Sequence, residues 1–256
     1  MPVAEGIAYA EHRGGPRSTG RPPLLLLHGA GGSRLVWPGA LRRLSGERVF
    51  ALDLPGHGRS PGPAEASIEA HVARLEQWMR QVGLGKAILI GHSMGGAIAL
   101  QAALSLPATA GIGLIASGGR LRVDPSLLDG LSQSSGYRQT LRELNRRWFA
   151  PQAEAALVRL SEQRLAEAPQ GLLAADFLAC DRFDVLERLG EVRVPTLVVC
   201  GLQDQMVPEK YCRTLAYRIP GAHLEFVPDA GHMVMLEQPE AVTRSLQRFL
   251  DREFPR

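Results

Sequence analysis

Lysine is nearly absent. Lys86 and Lys210 are the only two in 256 residues, so the basic charge rests on arginine. Lysine and arginine together number 29 against 26 acids, a net charge of only +3. The arginines are interleaved with acids, as in Arg74-Leu75-Glu76 and Arg142-Glu143. That pattern describes a solvated surface and argues against a nucleic-acid-binding face. Asparagine occurs once, at Asn145; arginine over lysine and scarce asparagine fit either a GC-rich genome or a heat-adapted source. Cysteine occurs three times, at Cys180, Cys200 and Cys212. An odd number without metal or redox spacing excludes a full disulfide framework. No apolar run approaches the roughly eighteen residues a membrane helix needs. The start, Met1-Pro2-Val3-Ala4-Glu5, lacks the basic stretch and apolar core of a secretory leader, so a cytoplasmic protein is expected.

What is abundant is core material. With 45% hydrophobic residues, a chain of this size can bury roughly 75% of its unfolded surface, in one domain with room for an insertion. The most informative stretch is Gly91-His92-Ser93-Met94-Gly95-Gly96. The apolar run Ala87-Ile88-Leu89-Ile90 leads into it and the Ala- and Leu-rich stretch Ala97 to Leu106 leads out. Gly-x-Ser-x-Gly between a strand and a helix is a sharp, strained turn that presents the serine hydroxyl above a sheet. Gly91 and Gly95 lack a Cβ, so strand and helix can close on each other beside it.

The rest of the chain alternates in the same way. Residues 3–12 suit a short antiparallel pair, and Gly14-Gly15-Pro16 through Pro22-Pro23 reads as a turn-rich connector. Leu24-Leu25-Leu26-Leu27 is a strand buried on both faces, ending in His28-Gly29-Ala30-Gly31-Gly32-Ser33. Ser33 would cap a helix carrying Trp37, Leu41 and Leu44. Val49 to Leu52 is the next strand. Ser67 caps a helix whose apolar face is Ile68, Val72, Leu75, Met79 and Val82. Ile112 to Ala116 is a further strand, closed by Gly118-Gly119. Residues 120–190 then lose the strand signal and read as helices, a helical cap inserted after the sixth strand between core segments 1–119 and 191–256. Alternation resumes with Thr196 to Cys200, a helix near Pro208 to Ile219, the strand Leu224 to Val227, and a terminal helix with Val242, Leu246 and Phe249. Short strand–helix repeats predict a mostly parallel central sheet with helices on both faces. Function in such a sheet collects at the carboxyl ends of the strands. His28-Gly29-Ala30, Ser93, Asp204 and His232 all fall there.

A serine hydroxyl needs a base to take its proton and a third group to orient that base. The order Ser93, Asp204, His232 supplies a nucleophile, an orienting acid and a general base. The backbone N–H groups of Ala30 and Met94 are placed to hold a tetrahedral oxyanion, each worth roughly 3 kcal/mol in the transition state.

These residues resemble the α/β-hydrolase fold superfamily, in its compact branch of capped esterases, enol-lactonases and cofactor-free haloperoxidases. The matching blocks are His28 to Ser33, Asp53-Leu54-Pro55-Gly56-His57-Gly58-Arg59-Ser60, Gly91 to Gly96, and Ala230-Gly231-His232 with Glu237-Gln238-Pro239. Val194-Pro195-Thr196 to Asp204 matches the acid-bearing segment. The resemblance implies a serine hydrolase that cleaves carboxylic esters of small to medium apolar substrates through an acyl-enzyme. It implies no cofactor and a small-molecule partner, with no nucleic acid or membrane, in a monomer or small homo-oligomer. The same site leaves open lactone opening, perhydrolysis, carbon–carbon cleavage, or a receptor-like protein that keeps the triad. An aspartate stands at the Ser93 position in dehalogenases and epoxide hydrolases of this fold, which disfavours their reactions here. Carbon–carbon hydrolases usually carry asparagine where this chain has His92.

Other polar residues have plainer readings. His28 supports the oxyanion loop. Asp53 and His57 could suggest a metal pair but suit a structural turn. His92 points away from Ser93 and packs or shapes the pocket. His12, His71 and His223 read as surface positions, Asp124 as an alternative acid, and Asp176, Asp181 and Asp184 as residues that solvate the cap. Leu127, Leu131, Trp148, Phe149, Leu172 and Phe177 either line an acyl pocket or pack the cap onto the core.

Overall fold

The computed structural model describes residues 1–15, 20–133 and 136–255. Pro16 to Thr19 of the expected connector lie outside the described residues. The strands are β1 (Val3–Ala4), β2 (Ile7–Arg13), β3 (Leu24–Leu27), β4 (Arg48–Asp53), β5 (Ala87–His92), β6 (Thr109–Ile115), β7 (Thr196–Gly201) and β8 (His223–Val227). They form one sheet in the order β1-β2-β4-β3-β5-β6-β7-β8. β1 and β2 pair antiparallel, and β4 through β8 run parallel around β3 and β5. This is the expected α/β-hydrolase arrangement, with β5 near its centre.

The helices are α1 (Gly39–Arg42), α2 (Ile68–Gln81), α3 (Met94–Ser105), α4 (Pro125–Ser132), α5 (Tyr137–Trp148), α6 (Ala155–Glu167), α7 (Gln170–Arg182), α8 (Glu209–Arg218), α9 (Val234–Glu237) and α10 (Pro239–Glu253). They cover both faces of the sheet. Leu25 and Leu27 pack with Leu75 and Trp78 of α2 and Ile98 of α3. Leu24 and Leu26 pack on the other side with Trp37, Leu41, and Leu246 and Phe249 of α10. Burial on both faces is why β3 reads as an unbroken leucine run rather than an alternation.

Between β6 and β7 lie α4 to α7 and a 3-10 turn, Leu186–Glu191. The chain leaves and re-enters the core side by side: the Val185 N–H donates to Gly119 O at 2.8 Å, and Arg120 bridges antiparallel to Asp184. Leu131, Leu144, Leu165 and Leu173 from these helices join the cluster under Leu24 and Leu26. Among the described residues no helix is long and apolar enough to cross a membrane.

Two local expectations change. The helix expected after Ser33 is broken in two. Ser33 Oγ accepts the Leu35 N–H of a short 3-10 turn, Arg34–Val36, and α1 starts only at Gly39. Pro38 separates them, because the residue before a proline is pushed out of the helical region. His71 is not a surface residue. It is 1% exposed and shares the inner face of α2 with Ile68, Val72 and Leu75, spaced three and four residues apart. Polarity hid a position that helical geometry places inside.

Burial lowers the pKa of His71 to about 4, and neither ring nitrogen has a hydrogen-bond partner among the described residues. The unfolded chain therefore binds a proton below pH 6.5 that the folded chain resists, and stability falls as pH drops toward about 4. His71→Leu should raise the melting temperature, and its gain should grow by roughly 1 kcal/mol per pH unit below neutrality. Urea titrations of both proteins across that window measure it; a gain independent of pH would refute the assignment.

Candidate active site

Ser93 sits between β5 and α3 with φ 52° and ψ −115°, a backbone region that non-glycine residues avoid. Neighbours hold it there. The Ser93 N–H donates to Ile115 O at 2.9 Å, and Ser93 O accepts from Gly96 N, Ala97 N and Ser117 Oγ. The turn closes only because Cβ atoms are missing. A Cβ at Gly91 would overlap the Gly95 carbonyl, and one at Gly95 would overlap the Leu27 carbonyl of β3.

His232 follows β8 and is 3% exposed. Its Nδ1 lies 2.9 Å from Asp204 Oδ2, and that carboxylate is completed by the N–H groups of Met206 and Val207, 2.7 and 2.8 Å from Oδ1. Pairing at Nδ1 leaves Nε2 as the nitrogen free to exchange a proton. The structure thus joins Asp204 to His232, as the sequence reading expects. The alternative acid, Asp124, instead caps α4 by accepting the Ser126 N–H at 2.9 Å.

Ser93, His232 and the Gly29–Ser33 loop line one cavity of about 1010 Å³, together with residues of the α4–α7 segment; Asp204 sits behind His232 and does not line it. Leu127, Trp148, Leu172 and Phe177 line it. Leu131 and Phe149 do not; they are buried in the core cluster. Neither the Ala30 nor the Met94 amide donates a backbone hydrogen bond among the described residues.

His28 and His92 buttress the site. The Leu54 N–H donates to His28 Nε2 at 2.9 Å, so His28 carries its proton on Nδ1, which donates to Gly29 O at 2.8 Å. Burial, and then the neighbouring His57, push the His28 pKa well down, so it stays neutral. His92 lines the cavity and donates from Nε2 to His232 O at 2.9 Å; burial and the nearby His232 likewise push its pKa down. His92 therefore shapes the pocket wall and anchors the backbone of His232. Asp53 is committed to its loop, accepting from Arg34 N at 2.7 Å and Arg59 N at 3.0 Å. His223 is half-buried against Glu253 at 2.9 Å.

Two residues carry more than the sequence reading assigns. Glu237 accepts the Gly231 N–H at 2.9 Å and the Ala150 N–H at 2.8 Å, clamping the His232 loop to the end of α5. Asp176 does not solvate a surface. It is 0% exposed, and its Oδ2 lies 2.7 Å from both Gly31 N and His57 Nε2. His57 also places Nδ1 2.9 Å from Pro55 O. Burial works against charge on His57, but the Asp176 carboxylate outweighs it and raises the imidazole pKa. Asp181 and Asp184 stay at the surface side, capping Val123 and pairing with Arg120. Asp176 was legible only as one acid among three on the same segment; its partners are 145 and 119 residues away.

A parallel sheet bearing a positive-φ serine after β5, an acid after β7 and a histidine after β8 defines the α/β-hydrolase class. The sequence profile of the Alpha/beta hydrolase family matches residues 24–245, and the chain belongs to that family. The dihydrolipoyllysine-residue acetyltransferase component of the acetoin cleaving system of Pseudomonas putida is 33% identical over 90% of this chain, which spans 64% of that relative's length. A Bacillus subtilis (strain 168) protein described as a putative 2-succinyl-6-hydroxy-2,4-cyclohexadiene-1-carboxylate synthase is 29% identical, covering 97% of this chain and 96% of its own. The solved structure of a thermophilic esterase from Thermogutta terrifontis superposes with TM-score 0.85 at 28% identity, over 96% of this chain and 93% of that one.

Burial raises the Glu237 carboxyl above its ordinary 4.5, against the two backbone donors that lower it. A raised carboxyl contributes stability that is present below the unfolded pKa and lost as pH rises through the folded one. Relative to Glu237→Gln, the wild-type chain should be most stable near the acid end, and its advantage should shrink as pH rises above 4.5. Urea midpoints of both proteins at matched pH values read this directly; an advantage that grows with pH contradicts it.

Proposed function

We propose that this protein is a serine hydrolase that cleaves carboxylic esters through an acyl-enzyme. The observation that carries the reading is that His232, paired with Asp204 at 2.9 Å, lines the same cavity as the positive-φ Ser93. Ser93 Oγ attacks the ester carbonyl carbon as its proton passes to His232 Nε2. The oxyanion is held by the N–H groups of Ala30 and Met94. Collapse breaks the C–O bond, and His232 returns the proton to the departing alcohol. Water, deprotonated by the same imidazole, then attacks the acyl carbon; the acid leaves and Ser93 recovers its proton. Asp204 keeps the His232 proton on Nδ1 and stabilises the cation that forms. The carboxylate itself is spared desolvation cost by three donors.

Residues 120–190 act as a cap over this site. The cavity volume suits a small to medium substrate, and Leu127, Trp148, Leu172 and Phe177 favour an apolar acyl group. The reaction needs no cofactor. Cys180, Cys200 and Cys212 are free and buried, which suits a reducing, cytoplasmic setting.

Turnover of p-nitrophenyl esters from acetate to decanoate tests the reading. Ser93→Ala and His232→Ala should each lose at least about 10⁴-fold in kcat, and Asp204→Asn about 10⁴-fold. A fluorophosphonate probe should label the wild type on Ser93, as mapped by mass spectrometry. Equal turnover by wild type and Ser93→Ala would sink the proposal.

A further inference from the structure

The least expected polar group in the molecule is the Asp176 carboxylate. It sits on α7, in the segment between β6 and β7, yet its Oδ2 meets two groups of the core. One is the N–H of Gly31, the residue after Ala30. The other is Nε2 of His57, in the loop after β4. Its Oδ1 has no hydrogen-bond partner among the described residues. A buried carboxylate is costly unless donors compensate it. Two donors on one oxygen carry that compensation here, so the position of Gly31 is coupled strongly to that of α7.

Gly31 cannot drift on its own. It holds φ 63°, and its Cα faces Leu173 and Leu165: a Cβ built there would sit 2.6 Å from Leu173 Cδ1. The Gly32 N–H donates to Gly29 O at 3.1 Å, closing the turn around Ala30. His57 in turn packs on His28, ring centroids 4.8 Å apart, and His28 holds Gly29 O from the other side. The loop that presents the Ala30 amide is therefore gripped from below by His28 and from above by Asp176.

We propose that Asp176 is a positioning residue for the oxyanion site, transmitting the seating of α7 to the Ala30 amide through Gly31. The proposal rests on the reading of Ala30 as an oxyanion donor. It makes the helices over the cavity part of the catalytic geometry as well as walls of the pocket. Substrates that settle α7 against the core fix the donor; loosening α7 releases it.

Two variants separate this role from simple structural support. Asp176→Asn keeps an oxygen where Oδ2 stands, so it can still accept from Gly31 and His57. Asp176→Leu fills the space and removes the acceptor. Hydrogen–deuterium exchange of the peptide covering residues 28–33 reads the loop without any substrate. Ester turnover, normalised to the end-point stoichiometry of fluorophosphonate labelling, reads catalysis per active site. Asp176→Leu should speed Gly31 exchange at least about 10-fold and lower kcat by about 10- to 100-fold with KM within about 2-fold, and Asp176→Asn should restore most of both. Unchanged exchange in Asp176→Leu overturns the proposal. So does a variant whose melting temperature and labelled fraction fall while kcat per labelled site stays at the wild-type value. Absent ester turnover by the wild-type protein would instead remove the hydrolase reading, leaving the exchange experiment to decide whether Asp176 holds the loop.

Discussion

The backbone of Ser93 is the constraint on which the rest of the site depends. A non-glycine residue at positive φ costs on the order of 1–3 kcal/mol and persists only where its surroundings over-determine it. Here the surroundings are the centre of the sheet. β5 lies between β3 and β6, and both neighbours reach the turn: β6 through the Ile115 carbonyl, β3 through the close approach of Leu27 to Gly95. The strain is carried at the centre of the sheet, between strands buried on both faces.

Around that point the structure places two histidine–carboxylate pairs. Asp204–His232 has both carboxylate oxygens engaged, and His232 lines the cavity. Asp176–His57 is sealed, 0% exposed on both side chains, and has no opening to a substrate. The same chemical pair thus stands in two settings. His232 lines the cavity; Asp176 and His57 are closed off from it. What separates them is access to the cavity and the groups at the second imidazole nitrogen, which in His57 faces Pro55 O.

The helices between β6 and β7 are fastened to both walls of the site. On one side the Met233 N–H donates to Trp148 O at 3.0 Å, and Glu237 ties Ala150 to Gly231. On the other, Asp176 ties α7 to Gly31. The segment that shapes the pocket is for this reason mechanically continuous with the residue after Ala30 and the residues flanking His232.

The amino-acid sequence by itself determined the strand–turn–helix rhythm, the turn at Ser93 and the placing of Asp204 and His232 at strand ends. These are local properties: a strand buried on both faces is an apolar run, and a tight turn needs glycines within four residues. It also carried the pairing of Asp204 with His232, because these two residues, 28 positions apart, each follow a recognisable strand. The helix after Ser33 was overextended because one proline outweighs three well-spaced apolar residues. His71 and Asp176 were misplaced because polarity stood in for exposure. Whether a polar side chain on a helix faces water or core depends on which face the tertiary packing covers. Only the folded chain decided that, and only it brought Asp176 to Gly31 and His57 across 145 and 119 residues, since no local spacing encodes a contact between a helix over the cavity and a loop beneath it.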